Sequence, residues 1–440
     1  MFQIRHLRWY IATLLAAASA LSYLDRQNLP VAIIDIQKTI PITDKQYSHL
    51  SMGFLLAYGV MYAIGGRILD LLGTRRGYAL MIAWWSVATL GLGLVKSVWG
   101  LGLGLFMVGL GEGGGFPGSA KAVSEWFPPR ERSFAFGIFN TGSSVGAVMA
   151  PPLIALIIVV ANWRCVFYFA GILGAVWVAF WWRLYTQPEK HRLITVAERE
   201  YLQTALAGVP SSSGVDAVKP WGELFRHRQT WGLVLAKLVS DSAWFFYIFW
   251  LPKYLSDVCH LDIKHVGYYA WVPYAFAGLG SFSGGWLSSY LIRRNLSVDR
   301  SRKLALGLSA AMMPVSLLIM TSPLRLMILF FGVAFLGHQF WSTILQTLAA
   351  DIFPSATVGS VAGIMGAAGS LGALGFNFLV GQVLTYYHNY SRILTTVGFL
   401  HPAAFLLILL IVGKIEPLEA NLFWRQRKHD ARSQERTLQR

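Results

Sequence analysis

Four stretches of this chain, 163–182, 304–320, 324–348 and 393–412, run almost without charge. With their flanks, each is long enough to cross a lipid bilayer as a helix of about 20 residues. Inside a bilayer no water can satisfy the backbone, so helices are the economical way to place such runs. Composition agrees. Apolar residues make up 55% of the 440, and charged residues only 13%, where a soluble chain carries about 25%. The reading is an all-α membrane protein. The first apolar run ends in charge and has no small-residue cleavage site, so it does not read as a cleavable signal peptide.

A net charge of +16 invites a nucleic-acid reading, but its placement argues against one. Lys and Arg gather at Arg75–Arg76, at Arg130 and Arg132, within 183–228 and 293–303, and in the tail from Lys414. The alternating loops are nearly free of them. That asymmetry orients membrane proteins with the basic loops inside, which places both termini in the cytoplasm. The basic excess then faces anionic headgroups of the bilayer, and no nucleic-acid partner is expected. Cys165 and Cys259 both fall near outer helix ends and read as free thiols.

Against this background Asp25 and Arg26 stand out, adjacent within the first apolar run. A charge at the centre of a membrane helix costs roughly 2.5–3.5 kcal/mol. Such residues face a water-filled cavity and act on an ion or a charged solute. This favours a transporter. Against an enzyme, the sequence offers neither a metal-ligand cluster nor a nucleophile–base motif, and its polar loops are too short for a catalytic domain.

Twelve helices are expected, near 8–30, 47–71, 76–95, 97–122, 133–160 and 163–184, then 229–252, 265–292, 302–321, 324–350, 357–385 and 392–413. The resulting division is an N-terminal six-helix bundle over 1–184, a cytoplasmic linker over 185–228, a C-terminal bundle over 229–413 and a basic tail over 414–440. Within the linker, Ser211-Ser212-Ser213-Gly214 has flexible-linker composition, and Thr195 with Glu198 forms the capping-box pattern of a short helix. The halves repeat. Phe127-Pro128, Gly137-Ile138 and Ser144-Val145-Gly146-Ala147 recur as Phe353-Pro354, Gly363-Ile364 and Ser370-Leu371-Gly372-Ala373, at a constant offset of 226. Gly65-Gly66 likewise matches Gly284-Gly285. A parallel repeat of this kind predicts two bundles about a pseudo-two-fold axis, with a substrate site at midplane between them.

The loop after the second helix runs from Gly65 through Asp70 and Gly73 to Arg75-Arg76, and it resembles the signature loop of the major facilitator superfamily. That resemblance implies a gating role for Asp70, Arg75 and Arg76, latching the cytoplasmic side in the outward-facing state. Three further stretches narrow it: Tyr23 to Asn28 around Asp25-Arg26, Gly109 to Pro117 around Glu112, and Glu125-Trp126-Phe127-Pro128 with Glu131-Arg132. They resemble the anion:cation symporters, and Phe249 to Pro252 with Gly337-His338-Gln339 look most like the hexuronate branch. The resemblance implies that Arg26 binds the substrate carboxylate, that Tyr23, Tyr58 and Ser143 contact substrate, and that Asp25 and Glu112 take up protons. The chemistry is compatible with those roles. A guanidinium offers a rigid fork and stays charged when buried, and a carboxylate in apolar surroundings holds its proton to higher pH.

One departure concerns Leu105, which stands where the family usually carries an arginine seven positions before Glu112. Lys237, with Asp241 one turn later, is either a replacement cation for Glu112 and the substrate or half of an intrahelical pair. His338 reads as a proton or hydroxyl contact or as a neutral core histidine. Gln339, Asn140 and Asn377 are candidate readers of hydroxyl groups, and Trp244 could line the sugar face. Gly113-Gly114-Gly115 lie inside a helix and read as packing glycines. The expectation is a monomeric importer of a hexuronate or related sugar acid by proton symport with alternating access, in a bacterial inner membrane and with no cofactor. The runner-up is a sodium-coupled or facilitated carrier of phosphate or another organic anion.

Overall fold

The computed structural model describes residues 4–206, 221–353 and 355–418. The Ser211–Gly214 stretch and the tail beyond residue 418 lie outside the described residues, as does the side chain of Asp70. The first half holds α1 (Leu7–Ile36), α2 (Asp44–Leu72), α3 (Thr74–Leu92), α4 (Val98–Glu112), α5 (Gly115–Trp126), α6 (Pro129–Val160) and α7 (Trp163–Leu184). Two short helices follow, α8 (Val196–Leu206) and α9 (Trp221–Leu224). The second half holds α10 (Arg228–Asp257), α11 (Ile263–Arg293), α12 (Val298–Met312), α13 (Leu324–Ile352), α14 (Ser355–Tyr387) and α15 (Ser391–Leu407).

Among the described residues, eight helices are by themselves long and apolar enough to cross a membrane. The other four crossings are α3, α11 and two broken spans, α4 with α5 and α12 with the 3₁₀ turn Met313–Leu318. The fourth span breaks where the sequence pattern ran straight through 97–122. Its glycines are packed too tightly for side chains: a Cβ on Gly113 would lie 2.5 Å from the Tyr58 carbonyl oxygen, and one on Gly114 2.1 Å from Met81 Sδ. The ninth span tightens at Pro314, which lacks an N–H and crowds the preceding turn.

The internal repeat is a packing rule. In the first half α1 packs on α6, α2 on α4 and α3 on α7; in the second, α10 packs on α14, α11 on α13 and α12 on α15. Gly146 sits against α1, where a Cβ would come 2.3 Å from the Ala20 carbonyl oxygen. Its counterpart Gly372 sits against α10, 2.0 Å from the Leu238 carbonyl oxygen by the same construction. Both positions need glycine because the helix backbones touch there. The bundles meet through α2 against α14 and α6 against α11, the same contact repeated about a two-fold.

The linker helix α8 is strapped to the first bundle. His6 offers α1 no side-chain cap, so its first N–H groups, orphaned at any helix start, need another acceptor. Glu198 supplies it, accepting from Leu7 N at 2.8 Å and Arg8 N at 3.3 Å and pairing with Arg8 Nη1 at 2.8 Å. Arg8 Nε also meets Glu131 at 2.9 Å. The expected capping box is therefore only half formed. Glu198 N donates to Thr195 Oγ1 at 3.3 Å, but the Glu198 carboxylate is spent on α1. Burial pushes the nearby His191 imidazole below its usual range, keeping it neutral against Trp126.

The two ends of the molecule differ. At the end remote from the termini, Lys253 of α10 reaches across to Asp44 of α2 at 3.0 Å while also holding Asp257. There Ser48 donates to the Asn377 carbonyl at 2.6 Å, and the Tyr47 hydroxyl donates to the Phe249 carbonyl. Gly381 abuts Ser48, and Gly267 abuts Ala155. Toward the termini, a Cβ on Gly66, Gly137 or Gly363 would meet nothing within 4 Å. Among the described residues, these polar contacts zip the bundles together at the remote end.

Candidate functional site

Halfway along α1, the side chains of Asp25 and Arg26 leave the helix beside the last residue of α4. Arg26 Nε donates to Glu112 Oε2 at 2.9 Å, and the pair is buried. Ser22, one turn before Arg26, donates to the same carboxylate oxygen at 3.1 Å. The guanidinium lies over the Tyr23 ring at 5.1 Å and the Tyr58 ring at 4.6 Å, which in turn stacks near Phe54 and Tyr62. Such desolvated contacts contribute about 2 kcal/mol apiece. They hold the guanidinium plane in place. Among the described residues only Nε has a hydrogen-bonding partner, leaving both Nη groups of the fork unengaged.

Asp25 accepts from Asn28 Nδ2 at 2.9 Å and has no ion-pair partner among the described residues. Glu112 Oε1 likewise lacks a hydrogen bond. With Arg26 the three groups carry −1, −1 and +1, one negative charge in excess when both acids are ionised. Leaving that charge unmatched in a dry interior is expensive, so the site calls for one added positive charge or one proton.

The sequence left Lys237 two roles, a replacement cation or half of an intrahelical pair, and the structure forms the pair. Lys237 Nζ pairs with Asp241 Oδ1 at 3.0 Å, one turn along the same helix, and the cation of Glu112 is Arg26. The α10 pair still faces the site, since Asp241 lies within electrostatic reach of Tyr23 and Tyr62. Asp241 is wedged against α14 where only Gly369 fits, a Cβ there falling 2.3 Å from its Oδ2. Lys237→Ala should thus strand a buried carboxylate and cost about 3–5 kcal/mol in thermal unfolding. Removing Asp241 as well should recover most of that loss, and adding Leu105→Arg should recover none. Rescue by Leu105→Arg would return Lys237 to Glu112.

His338 is buried and paired. Its Nδ1 lies 3.0 Å from Nε2 of His401, and Trp244 stacks on it with centroids 4.8 Å apart and planes 8° off parallel. His401 escaped the sequence reading, although a histidine inside the apolar run 393–412 was a signal for it. Asn377 departs from the role of hydroxyl reader. Its Nδ2 donates to Ala373 and its Oδ1 accepts from Trp250 at 2.9 Å, which occupies the amide at the remote end. Ser143 donates to the Asn140 carbonyl at 2.7 Å, Asn140 itself is exposed, and Gln339 is half-buried. Arg75 is exposed and donates to the Trp182 carbonyl within the first bundle, and Arg76 is exposed too. Ser22 was also missed, because serine is common in membrane helices and only the fold aims it at Glu112.

Two helical bundles about a pseudo-two-fold, with buried ion pairs facing each other at mid-depth, define a membrane transporter rather than an enzyme. The profile of the Major Facilitator Superfamily matches residues 15–377, and the chain belongs to that family. The chain is 33% identical over 389 residues to the "Hexuronate transporter" of Escherichia coli (strain K12), covering 87% of this chain and 89% of that one. To the "Galacturonate transporter" of Dickeya chrysanthemi it is 34% identical over 327 residues, 73% of this chain and 94% of that one. Among solved structures, the xylose transporter XylE from E. coli in its inward open conformation superposes with a TM-score of 0.71 at 13% identity, over 92% of this chain and 97% of that one. A bacterial homologue of Spinster, inward-facing and unoccupied, gives 0.67 at 18% identity, over 92% and 95%. Both carry the same fold.

Proposed function

We propose that this protein imports a hexuronate or a related sugar acid by proton symport with alternating access. The observation that carries the proposal is the Arg26 guanidinium, fixed by Glu112 and two tyrosine rings with both Nη groups unengaged. A fork so presented suits a carboxylate. The relatives named for hexuronate and galacturonate support a sugar acid as the carrier of that carboxylate. Tyr23, Tyr58, Ser143, Asn140, Trp244, His338, Gln339 and Lys237 would complete the surroundings of the sugar.

Coupling follows from competition at Arg26. While Glu112 is ionised it holds the guanidinium; once protonated it releases it to the substrate carboxylate. Asp25 supplies a second proton-accepting carboxylate. On this reading substrate affinity rises as pH falls, since protonation of Glu112 removes the competing anion. The basic loops support cytoplasmic termini, which makes the zipped end periplasmic and this state inward-facing. Asp70, Arg75 and Arg76 would latch the opposite side when the bundles rock, and the domain division at 184, 228 and 413 separates the moving bundles from linker and tail. The protein would act as a monomer.

The test is thermal stabilisation of purified protein against galacturonate, glucuronate, galactonate, neutral galactose and inorganic phosphate. The expected outcome is stabilisation by one or more sugar acids, greater at pH 6 than at pH 8, and none by galactose. Stabilisation by phosphate alone would sink the sugar-acid reading.

A further inference from the structure

Inside the second bundle His338 of α13 meets His401 of α15, with His338 Nδ1 lying 3.0 Å from His401 Nε2. His401 is fully buried, and its Nδ1 is sealed without a hydrogen-bonding partner. His338 Nε2 also lacks a partner among the described residues, yet it is not sealed. The two rings cross at 85°. Trp244 lies flat on His338, and Trp341 stands against His401 at 79°, so neither ring is free to turn. Lys237 lies within electrostatic reach of both rings. That puts the histidines beside the Lys237–Asp241 pair, which faces the site around Arg26.

Among the described residues neither ring is hydrogen-bonded to a carboxylate, and a buried imidazolium alone is expensive, so both rings are neutral. A neutral imidazole donates from one nitrogen and accepts at the other, which leaves two arrangements. Either His401 Nε2–H donates to His338 Nδ1, or His338 Nδ1–H donates to His401 Nε2. In the first, both rings carry the proton on Nε2, the form a free histidine side chain prefers, and the sealed His401 Nδ1 is a bare lone pair. In the second, both rings take the less favoured form, and His401 buries an N–H with no acceptor, the rarer defect. Intrinsic preference and hydrogen-bond satisfaction therefore both put each proton on Nε2. We propose that His401 is a positioning residue, which fixes His338 in the Nε2–H form so that the transport site offers one uncharged donor to a hydroxyl or ring oxygen of the sugar. The carboxylate is left to Arg26, and a neutral N–H adds recognition without adding charge. It also selects. An oxygen at this point completes the hydrogen bond, whereas a methylene strands a buried donor, which costs more than the bond itself contributes.

This inference rests on the sugar-acid reading for its ligand, and its first test uses no sugar acid, so the two fail separately. Protein carrying nitrogen-15 histidine is examined by NMR at pH 8, with the His338 signals assigned by their loss in His338→Gln. The proton should sit on Nε2 of His338, with Nδ1 bare and accepting a hydrogen bond. In His401→Leu the Nδ1 signal should move, because nothing then donates to it. Calorimetry with galacturonate measures the consequence. Affinity should fall about tenfold in His401→Leu, the effect of losing one neutral hydrogen bond. His401→Gln should bring it back to within about threefold of the wild type, since its amide nitrogen can donate from near the place of the imidazole Nε2. A packing role alone would not favour Gln over Leu. A His338 proton on Nδ1, galacturonate affinity unchanged in His401→Leu, or His401→Gln no better than His401→Leu would each overturn the proposal. Where the wild type binds no sugar acid, the substrate reading fails while the spectrum still decides the tautomer.

Discussion

Arg26→Ala should abolish both binding and uptake of sugar acid, while Arg26→Lys should keep only a remnant. Hydrogen bonds to charged groups contribute about 1.5–3 kcal/mol each. Losing a two-pronged contact therefore weakens affinity roughly 100-fold or more. Lysine retains the charge but not the flat fork, nor its fit over Tyr23 and Tyr58. A complication is that Arg26 also neutralises Glu112, and stranding a buried carboxylate costs about 3–5 kcal/mol. The double variant Arg26→Ala, Glu112→Gln separates the two roles, since it removes the stranded charge along with its partner. It should restore the melting temperature and leave binding absent. If calorimetry finds substrate bound by the double variant at wild-type affinity, Arg26 serves Glu112 alone and the carboxylate is held elsewhere.

Glu112→Gln should separate binding from energy coupling. The amide resembles the protonated acid and cannot hold Arg26 by charge, so the guanidinium is permanently available. Substrate affinity should then match or exceed that of the wild type at pH 8 and lose its dependence on pH. Counterflow exchange should persist while uphill accumulation driven by a pH gradient stops. Asp25→Asn should also stop accumulation, because its amide cannot cycle a proton. Measured in proteoliposomes, accumulation with an unchanged pH profile in both variants would falsify coupling through these carboxylates.

Much of the architecture was legible in one dimension, because a bilayer leaves a chain few options. A run of some twenty apolar residues cannot expose its backbone to lipid, so 163–182 and 393–412 had to be helices, and the structure places α7 and α15 there. The offset of 226 between Gly146 and Gly372 reported a contact made twice, since each glycine admits a neighbouring backbone. Asp25, Arg26 and Glu112 were conspicuous for the same reason, as charges with no business in hydrocarbon. Breaks within spans were harder to see. Gly113-Gly114 continue an apolar run by composition, and only the approach of Tyr58 and Met81 makes them a break.

Pairing could not be read along the chain. Lys237 had two candidate anions, Asp241 one turn away and Glu112 on another helix, and which one it meets depends on how α10 is rotated against the first bundle. The structure turns it to Asp241 and gives Glu112 to Arg26, 86 residues distant in sequence. Asn377 looked like a ligand by type, yet the register of α14 spends it on Trp250. His401 met His338, and Glu198 became the cap of α1, through contacts 63 and 191 residues apart. Local order and membrane insertion depend on residue type and spacing, which a sequence displays. A partner across a helix interface depends on rotation and depth, and those are set by the packing of all twelve crossings together.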